Sequence, residues 1–451
     1  MANGFKNLSA MNFSPLIPRL RREFEAAQRY WSNWTQWNEQ RAAEVQLRKL
    51  QVAWGDAVAD VPYYERLVAT GAAPKAIRSW DDFHALPELN RQIYQADPAA
   101  FVRRSKPYDR RGATAGTTGN PIQFGVWQSE DVTNRILKLV LWQRAGYTLD
   151  SRFVLLWGHT HLLGKGWRRL WKHLQRTVKD RLVGYLRVDA YRFDLSDSKR
   201  TAERMLRFKP VALVGYSSTL DYFARSNPEY HDRFRKLGLK FAQPAGEAPP
   251  RPDSLDLLRD VFACQTIQEF GGGDFGQVSM RMDGEPYFTF PDFNILEAVP
   301  GPGDGADSGA TLITALYPRC FPIFRYRQND AISGVKRYAH GHVYEFEKVV
   351  GRTNDMVQLN SGAVVHSGAI FACVFPESAI HRVQMVIDDA GLTLRMVLGP
   401  GFGAEEEARV RHRLSQVATE LKAMKFERVD DVEPNLAGKR RWFVDHRTRQ
   451  P

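Results

Sequence analysis

The 451-residue chain predicts an α/β fold with two parts, a large N-terminal α/β unit and a small C-terminal α+β unit. Short apolar runs at 153–157, 211–216, 262–270 and 311–316 alternate with helical stretches, as expected for strands layered with helices. The pattern then breaks at the run Gly-Arg-Thr-Asn-Asp, positions 351–355. Beyond it, residues 383–388 and 392–397 read as paired strands, 404–421 as a helix and 426–432 as a strand. The expected units are therefore residues 1–350 and 351–451, the second about a hundred residues long and of ordinary domain size.

Taken in order, residues 17–59 carry spaced apolar positions (Phe24, Tyr30, Trp31, Trp34) among Arg, Glu, Gln and Ala, which predicts helix. Val61-Pro-Tyr-Tyr64 breaks that pattern, and Trp80, Phe83 and Leu86-Pro87 introduce short helices. Residues up to about 105 form a helical layer rather than a domain. Residues 111–121 then read Arg-Gly-Ala-Thr-Ala-Gly-Thr-Thr-Gly-Asn-Pro. Glycines let such a loop turn its N–H groups inward around an anion, and threonine hydroxyls add donors. The loop is not the Walker type, because no Gly-Lys-Ser/Thr closes it. A small-residue surface turn is the other reading of the same residues. Residues 122–127 have strand character, and 129–144 predict a helix with Ser129 as N-cap and Glu130 near its positive end. A helix is also expected at 219–225, and Pro-Gly-Pro-Gly-Asp-Gly at 300–305 reads as a surface loop.

Composition narrows the class of function only in part. A net charge of +12 suits anionic partners, yet 43% hydrophobic residues suit an ordinary core, and a basic enzyme for anionic substrates fits both. Cys264, Cys320 and Cys373 are scattered, which argues against a disulfide framework or a zinc knuckle and for a reducing cytoplasm. No apolar stretch approaches the roughly 18–20 residues of a membrane span. The N-terminal residues lack the continuous apolar core of a signal peptide. No nucleic-acid recognition module is visible, so no nucleic-acid partner is expected.

Five short motifs, in order along the chain, carry a resemblance to a known family. Thr114-Ala-Gly-Thr-Thr-Gly-Asn-Pro121 resembles the phosphate loop of the adenylate-forming ligases, the superfamily of acyl-coenzyme A synthetases, luciferases and peptide-synthetase adenylation domains. Gln268-Glu-Phe-Gly-Gly-Gly-Asp274 is similar to their Tyr-Gly-x-x-Glu motif, and Pro322-Ile-Phe-Arg-Tyr-Arg-Gln-Asn-Asp330 to their Arg-Tyr-Arg-Thr-Gly-Asp. Gly351-Arg-Thr-Asn-Asp-Met-Val357 resembles the hinge motif, and Gly438-Lys439 the C-terminal lysine motif. Val61-Pro-Tyr-Tyr64 and Leu86-Pro87 resemble the N-terminal signature of the phenylacetate–coenzyme A ligase and CapK-like branch.

The resemblance implies the adenylate-forming enzyme fold with a mobile C-terminal lid, and an acyl-AMP-forming ligase that uses ATP, Mg²⁺ and a small carboxylic acid. Its acceptor would be coenzyme A, or an amine or hydroxyl in the CapK-like relatives; a catalytically silent binding protein is the alternative of another class. Carried over residue by residue, Thr114, Gly116, Thr117, Thr118 and Gly119 would hold the ATP phosphates. Asp274 stands where the family has the glutamate that helps hold Mg²⁺, a hard cation that prefers oxygen, and its shorter reach allows an intervening water. Asp330 would accept hydrogen bonds from both ribose hydroxyls. Arg352 would lie beside the ribose or phosphates. Glu247, Phe270 and Gly271 would line the AMP site, and Tyr216, Gly272 and Gly273 the acyl pocket. Asn354 is the expected hinge. Lys439 would neutralise charge between α-phosphate and carboxylate in the first half-reaction.

Two stretches lie outside these motifs. Trp167, Leu170, Trp171, Leu174, Val178 and Leu182 recur at helical spacing between Arg168, Arg169, Lys172, Arg176, Lys179 and Arg181. Such a helix can lie on anionic lipid or dock on its own core with a solvated basic face. His159 and His161 are two of the three or more ligands a metal site needs, so a loop is the better reading there.

Overall fold

The structure is a computed structural model that describes residues 16–34, 36–113, 122–157, 180, 184–190, 193, 195–301, 305–352, 356–359, 364–374, 376–377, 379–388, 391–432 and 443–446. The N-terminal helical stretch divides into Leu16–Trp34 and Glu39–Asp60. The break has a local cause: the Asn38 side chain accepts the Arg41 N–H at 2.8 Å and starts the second helix as its N-cap. Pro62 opens a third helix, Pro62–Ala69, where its missing N–H costs nothing. Trp54, Tyr64, Phe83 and Phe324 bury this layer against the remainder of the chain, and the Tyr64 hydroxyl donates to the Pro322 carbonyl at 2.8 Å.

A nine-stranded mixed sheet forms the centre. Tyr185–Asp189, Phe153–Trp157, Ala212–Tyr216, Phe241–Ala245 and Gln265–Gly272 run parallel in that spatial order. Ala212–Tyr216 and Phe241–Ala245 are buried at every residue; the first accordingly reads as a continuous apolar run, whereas the second is interrupted by Gln243 and Pro244. Gly276–Met282, Tyr287–Thr289, Val343–Phe346 and Lys336–Arg337 extend the sheet antiparallel. The chain leaves Phe153–Trp157 for one edge and returns through helix Leu195–Phe208 to Ala212–Tyr216 on the other side. That reversal is a topological switch point, where open α/β sheets bind ligands at the carboxyl ends of their strands.

A second, antiparallel sheet contains Asn294–Val299, Ser308–Ala315, Tyr326–Ser333 and Lys348–Arg352. The C-terminal unit has its own core, with Ile370, Val383, Met385, Leu394, Val410 and Leu414 buried together. Its sheet pairs Ile380–Asp388 with Gly391–Leu398 and adds Lys425–Arg428 and Phe443–Asp445 at the edges. Two arginines join it to the large unit. Arg382 donates to the Phe193 carbonyl at 3.0 Å and lies 4.1 Å from the Tyr222 ring centroid, while Arg251 donates to the Ile380 carbonyl.

Two expectations are corrected. Residues 262–270 are not one strand: helix Ser254–Phe262 ends at left-handed Ala263 (φ 49°), and the strand starts at Gln265. The buried last turn of that helix, Val261 and Phe262, is as apolar as a strand, so period alone does not separate them. Helix Gln128–Arg144 is capped at Trp127 rather than Ser129, since the Glu130 carboxylate accepts the Trp127 N–H at 2.8 Å. Glu130 is 2% exposed, so it belongs to the interior and not to a solvated first turn. Among the described residues no helix is long and apolar enough to cross a membrane.

Candidate active site

The carboxyl ends of Phe153–Trp157, Ala212–Tyr216 and Phe241–Ala245 build one wall. The Trp157 and Tyr216 rings stack with centroids 4.2 Å apart, and Tyr216 is buried. Gly246 follows at φ 79°, and a Cβ there would stand 3.2 Å from Trp157 and 3.3 Å from Tyr216. Glycine lets the backbone pass close to the stacked rings in a left-handed turn. Glu247 is thereby turned toward the next helix: its Oε1 accepts the Ser218 N–H at 2.9 Å and the Ser218 hydroxyl. Ser217 donates to the Glu247 carbonyl at 2.7 Å. Helix Ser217–Arg225 therefore starts on an acidic side chain, which suits its positive end.

The second wall is a hairpin. Gln265–Gly272 pairs with Gly276–Met282, and Gly273, Asp274 and Phe275 make the turn. A Cβ on Gly271 would come within 2.7 Å of the Gly276 carbonyl oxygen, so the two strands close only on glycine. Gly271 and Gly273 are exposed and Gly272 half-buried, while Asp274 is 6% exposed. The Tyr326 hydroxyl donates to Asp274 Oδ2 at 3.0 Å, and Arg319 donates to the Asp274 carbonyl at 2.8 Å. The Phe270 ring packs in the hydrophobic core near Phe275 and Phe346, which leaves its backbone as the part that can face the hairpin turn's surroundings.

Asp330 lies half-buried on Tyr326–Ser333, opposite Arg352 on Lys348–Arg352. Between the pairs Leu312↔Arg327 and Ala310↔Ala331, one strand advances four residues while its partner advances two. The bulge contains Gln328, Asn329 and Asp330, the segment where the sequence departs from the family's Thr-Gly-Asp. Bulges bend a strand and re-aim its side chains, and this one falls on the expected ribose ligand. The first residue of the same strand, Tyr326, touches Asp274, so the second sheet abuts the hairpin turn.

Thr114, Gly116, Thr117, Thr118, Gly119, Asn354 and Lys439 lie outside the described residues, as do His159, His161 and all of the Trp167–Leu182 stretch except Asp180. The loop's flanks are described: Arg110–Ala113 pairs antiparallel with Gln123–Val126, which leads into helix Gln128–Arg144. Trp157, Tyr326, Arg319 and Glu130 join the site without having been singled out for it from the sequence. Tyr326 sits inside a recognised motif and Trp157 ends a recognised strand, so position alone pointed to both. Nothing in the sequence marks Arg319 or Glu130.

This architecture, a large α/β unit with its site at the strand ends and a small C-terminal unit, is the fold of the adenylate-forming CoA ligases. 2-Hydroxyisobutyryl-CoA ligase in the postadenylation state with 2-HIB-AMP matches at a TM-score of 0.65 and 17% identity, over 90% of each chain. The same ligase with 2-HIB-AMP and CoA in the thioesterification state gives 0.55 at 18% identity, again over 90% of each chain. The anthranilate CoA ligase AuaEII with anthranoyl-AMP gives 0.50 at 15% identity, over 73% of this chain and 65% of that one. Protein CapK of Staphylococcus aureus is 19% identical over 389 residues, 81% of this chain and 80% of CapK. No protein-family model matches the chain.

Proposed function

We propose that the protein is an ATP-dependent carboxylate ligase that forms an acyl-AMP and passes the acyl group to coenzyme A. The observation that carries the reading is the placement of Glu247 and Asp274. Both follow the carboxyl ends of adjacent parallel strands, on the side of the sheet entered from the switch point by way of Ala212–Tyr216, in a fold whose solved members hold acyl adenylates. A carboxylate oxygen of the acid would attack the α-phosphorus of ATP, the bond to the β-phosphate would break, and pyrophosphate would leave. A thiolate would then attack the acyl carbon, forming a thioester and releasing AMP. Alignment and charge stabilisation dominate both steps, which suits a site built from fixed donors and carboxylates.

Within that reading the loop from Thr114 to Gly119 holds the phosphates, Asp330 the ribose, Arg352 the ribose or phosphates, and Lys439 the charge developing between α-phosphate and carboxylate. The Trp157–Tyr216 stack and Gly246 shape the pocket wall. Among the described residues no group of three or more His, Cys, Asp and Glu could cage a metal ion. Mg²⁺ needs no such cage when it keeps water and substrate phosphates and takes one carboxylate, so a lone buried Asp274 fits it. Bound there, the ion would offset charge on the departing pyrophosphate. Residues 351–451 serve as the lid, turning about Asn354. The higher likeness to one state of 2-hydroxyisobutyryl-CoA ligase than to another supports a C-terminal unit that changes place.

The similarity to CapK keeps an amine or hydroxyl acceptor as the second reading. Both readings share the first half-reaction. Purified protein should bind Mg-ATP, and a panel of small carboxylic acids should contain members that release pyrophosphate. Folded protein that binds no ATP at millimolar concentration would instead support a silent relative. Adding CoA, amines and sugars in turn to a preformed acyl-AMP decides the acceptor.

A further inference from the structure

The turn that carries Asp274 is held at two points by groups the motifs leave without a role. Tyr326, 2% exposed, donates its hydroxyl to Asp274 Oδ2 at 3.0 Å. Its backbone is fixed on both sides by the segment at Leu89: Leu89 N–H donates to the Arg325 carbonyl at 3.2 Å, and Arg327 N–H donates to the Leu89 carbonyl at 2.8 Å. Arg319 donates at 2.8 Å to the Asp274 carbonyl and at 3.0 Å to the Tyr317 hydroxyl. Its guanidinium lies 3.2 Å from Glu130, both side chains being 2% exposed. Glu130 in turn caps helix Gln128–Arg144 and accepts the Cys320 N–H at 3.0 Å. One anchor thus sets the peptide of Asp274 and another sets the direction of its carboxylate.

We infer that Tyr326 is a positioning residue that fixes the Asp274 carboxylate for the divalent cation accompanying ATP, while the Arg319–Glu130 pair holds the peptide beneath it. The inference rests on the reading of Asp274 as the cation's carboxylate. Aspartate is one methylene shorter than the glutamate of the resembling motif, so small errors in its direction matter more at the metal. A donor on one oxygen orients a ligating carboxylate, and such outer partners tune metal affinity.

The test titrates Mg²⁺ against ATP binding by the full chain, with calorimetry as readout and metal-free AMP binding and melting temperature as controls. Tyr326→Phe should raise the Mg²⁺ needed for half-maximal ATP binding about 10-fold, the lower end of the effect of removing an outer partner. AMP binding and melting temperature should stay near wild type. Asp274→Asn should raise the requirement at least as far, and the double variant should be no worse than Asp274→Asn alone, since the tyrosine acts through the carboxylate. An unchanged requirement in Tyr326→Phe, with the Asp274→Asn shift present, overturns the inference and leaves the role of Asp274 standing. No shift in Asp274→Asn overturns both. A lower melting temperature in Tyr326→Phe with no change in the Mg²⁺ requirement marks a purely structural hydroxyl, and likewise overturns the inference.

Discussion

At single residues, backbone irregularity and burial decide what a polar group can do. Asp330 sits in a bulge beside the paired Arg352 backbone. If it accepts the ribose hydroxyls, Asp330→Ala should weaken ATP binding by about 1.5–3 kcal/mol, the usual worth of hydrogen bonds to a charged group; isothermal titration checks this. His342 gives a second case. It is fully buried against Trp80, Phe83, His84 and His340 with no hydrogen-bond partner on either ring nitrogen. Burial pushes its pKa down to about 2, and His340, His84 and Arg325 push the same way. The fold needs this ring neutral. Its contribution is therefore intact above the ordinary histidine pKa of about 6.5 and is lost as pH falls from there toward 2, at about 1.4 kcal/mol per unit. Urea denaturation should show wild type losing about 1.6 kcal/mol between pH 6.5 and 5 from this group. His342→Leu should lose correspondingly less; an equal loss would place the acid sensitivity elsewhere.

Elements depend on pairs that join them. Glu130 opens helix Gln128–Arg144, and Arg319 lies between the second sheet and the hairpin turn, so their ion pair ties three elements together. Breaking it from one side leaves a buried charge. Arg319→Met should cost about 3–5 kcal/mol in denaturant unfolding, and adding Glu130→Leu should recover much of that, because apolar replacement of a whole buried pair is often neutral. The sequence reveals little of this. From the sequence Glu130 is placed only near the positive end of its helix, because local spacing carries no information about Arg319, 189 positions away. Part of the parallel sheet was legible, since apolar runs such as Phe153–Trp157 are bounded by turn residues; Tyr185–Asp189 and Phe241–Ala245 were missed, the one carrying Arg187 and the other Gln243 and Pro244. Tyr287–Thr289 and Lys336–Arg337 were not legible either, being too short to show a period. Phe270 shows a related limit: a motif fixes the residue type but not which face of a strand it takes, and here the ring faces the core.

On the scale of the whole molecule, the C-terminal unit has its own core, and among the described residues Arg251 and Arg382 reach across to or from the large unit. That arrangement suits a division of labour in which the large unit binds the nucleotide and the small one brings a lysine to it. The motif order suggests this division; Lys439 itself lies outside the described residues, and no periodic pattern surrounds it. The most direct test is ATP–pyrophosphate exchange with an acid found active in the panel, comparing wild type with Lys439→Ala. The expected result is acid-dependent exchange in wild type and a large loss in the variant, with ATP affinity nearly unchanged, as when an interaction is made mainly at the barrier. Transfer from a supplied acyl-AMP should survive. Exchange at the wild-type rate in Lys439→Ala, or equal loss of both half-reactions in a folded variant, would contradict the account.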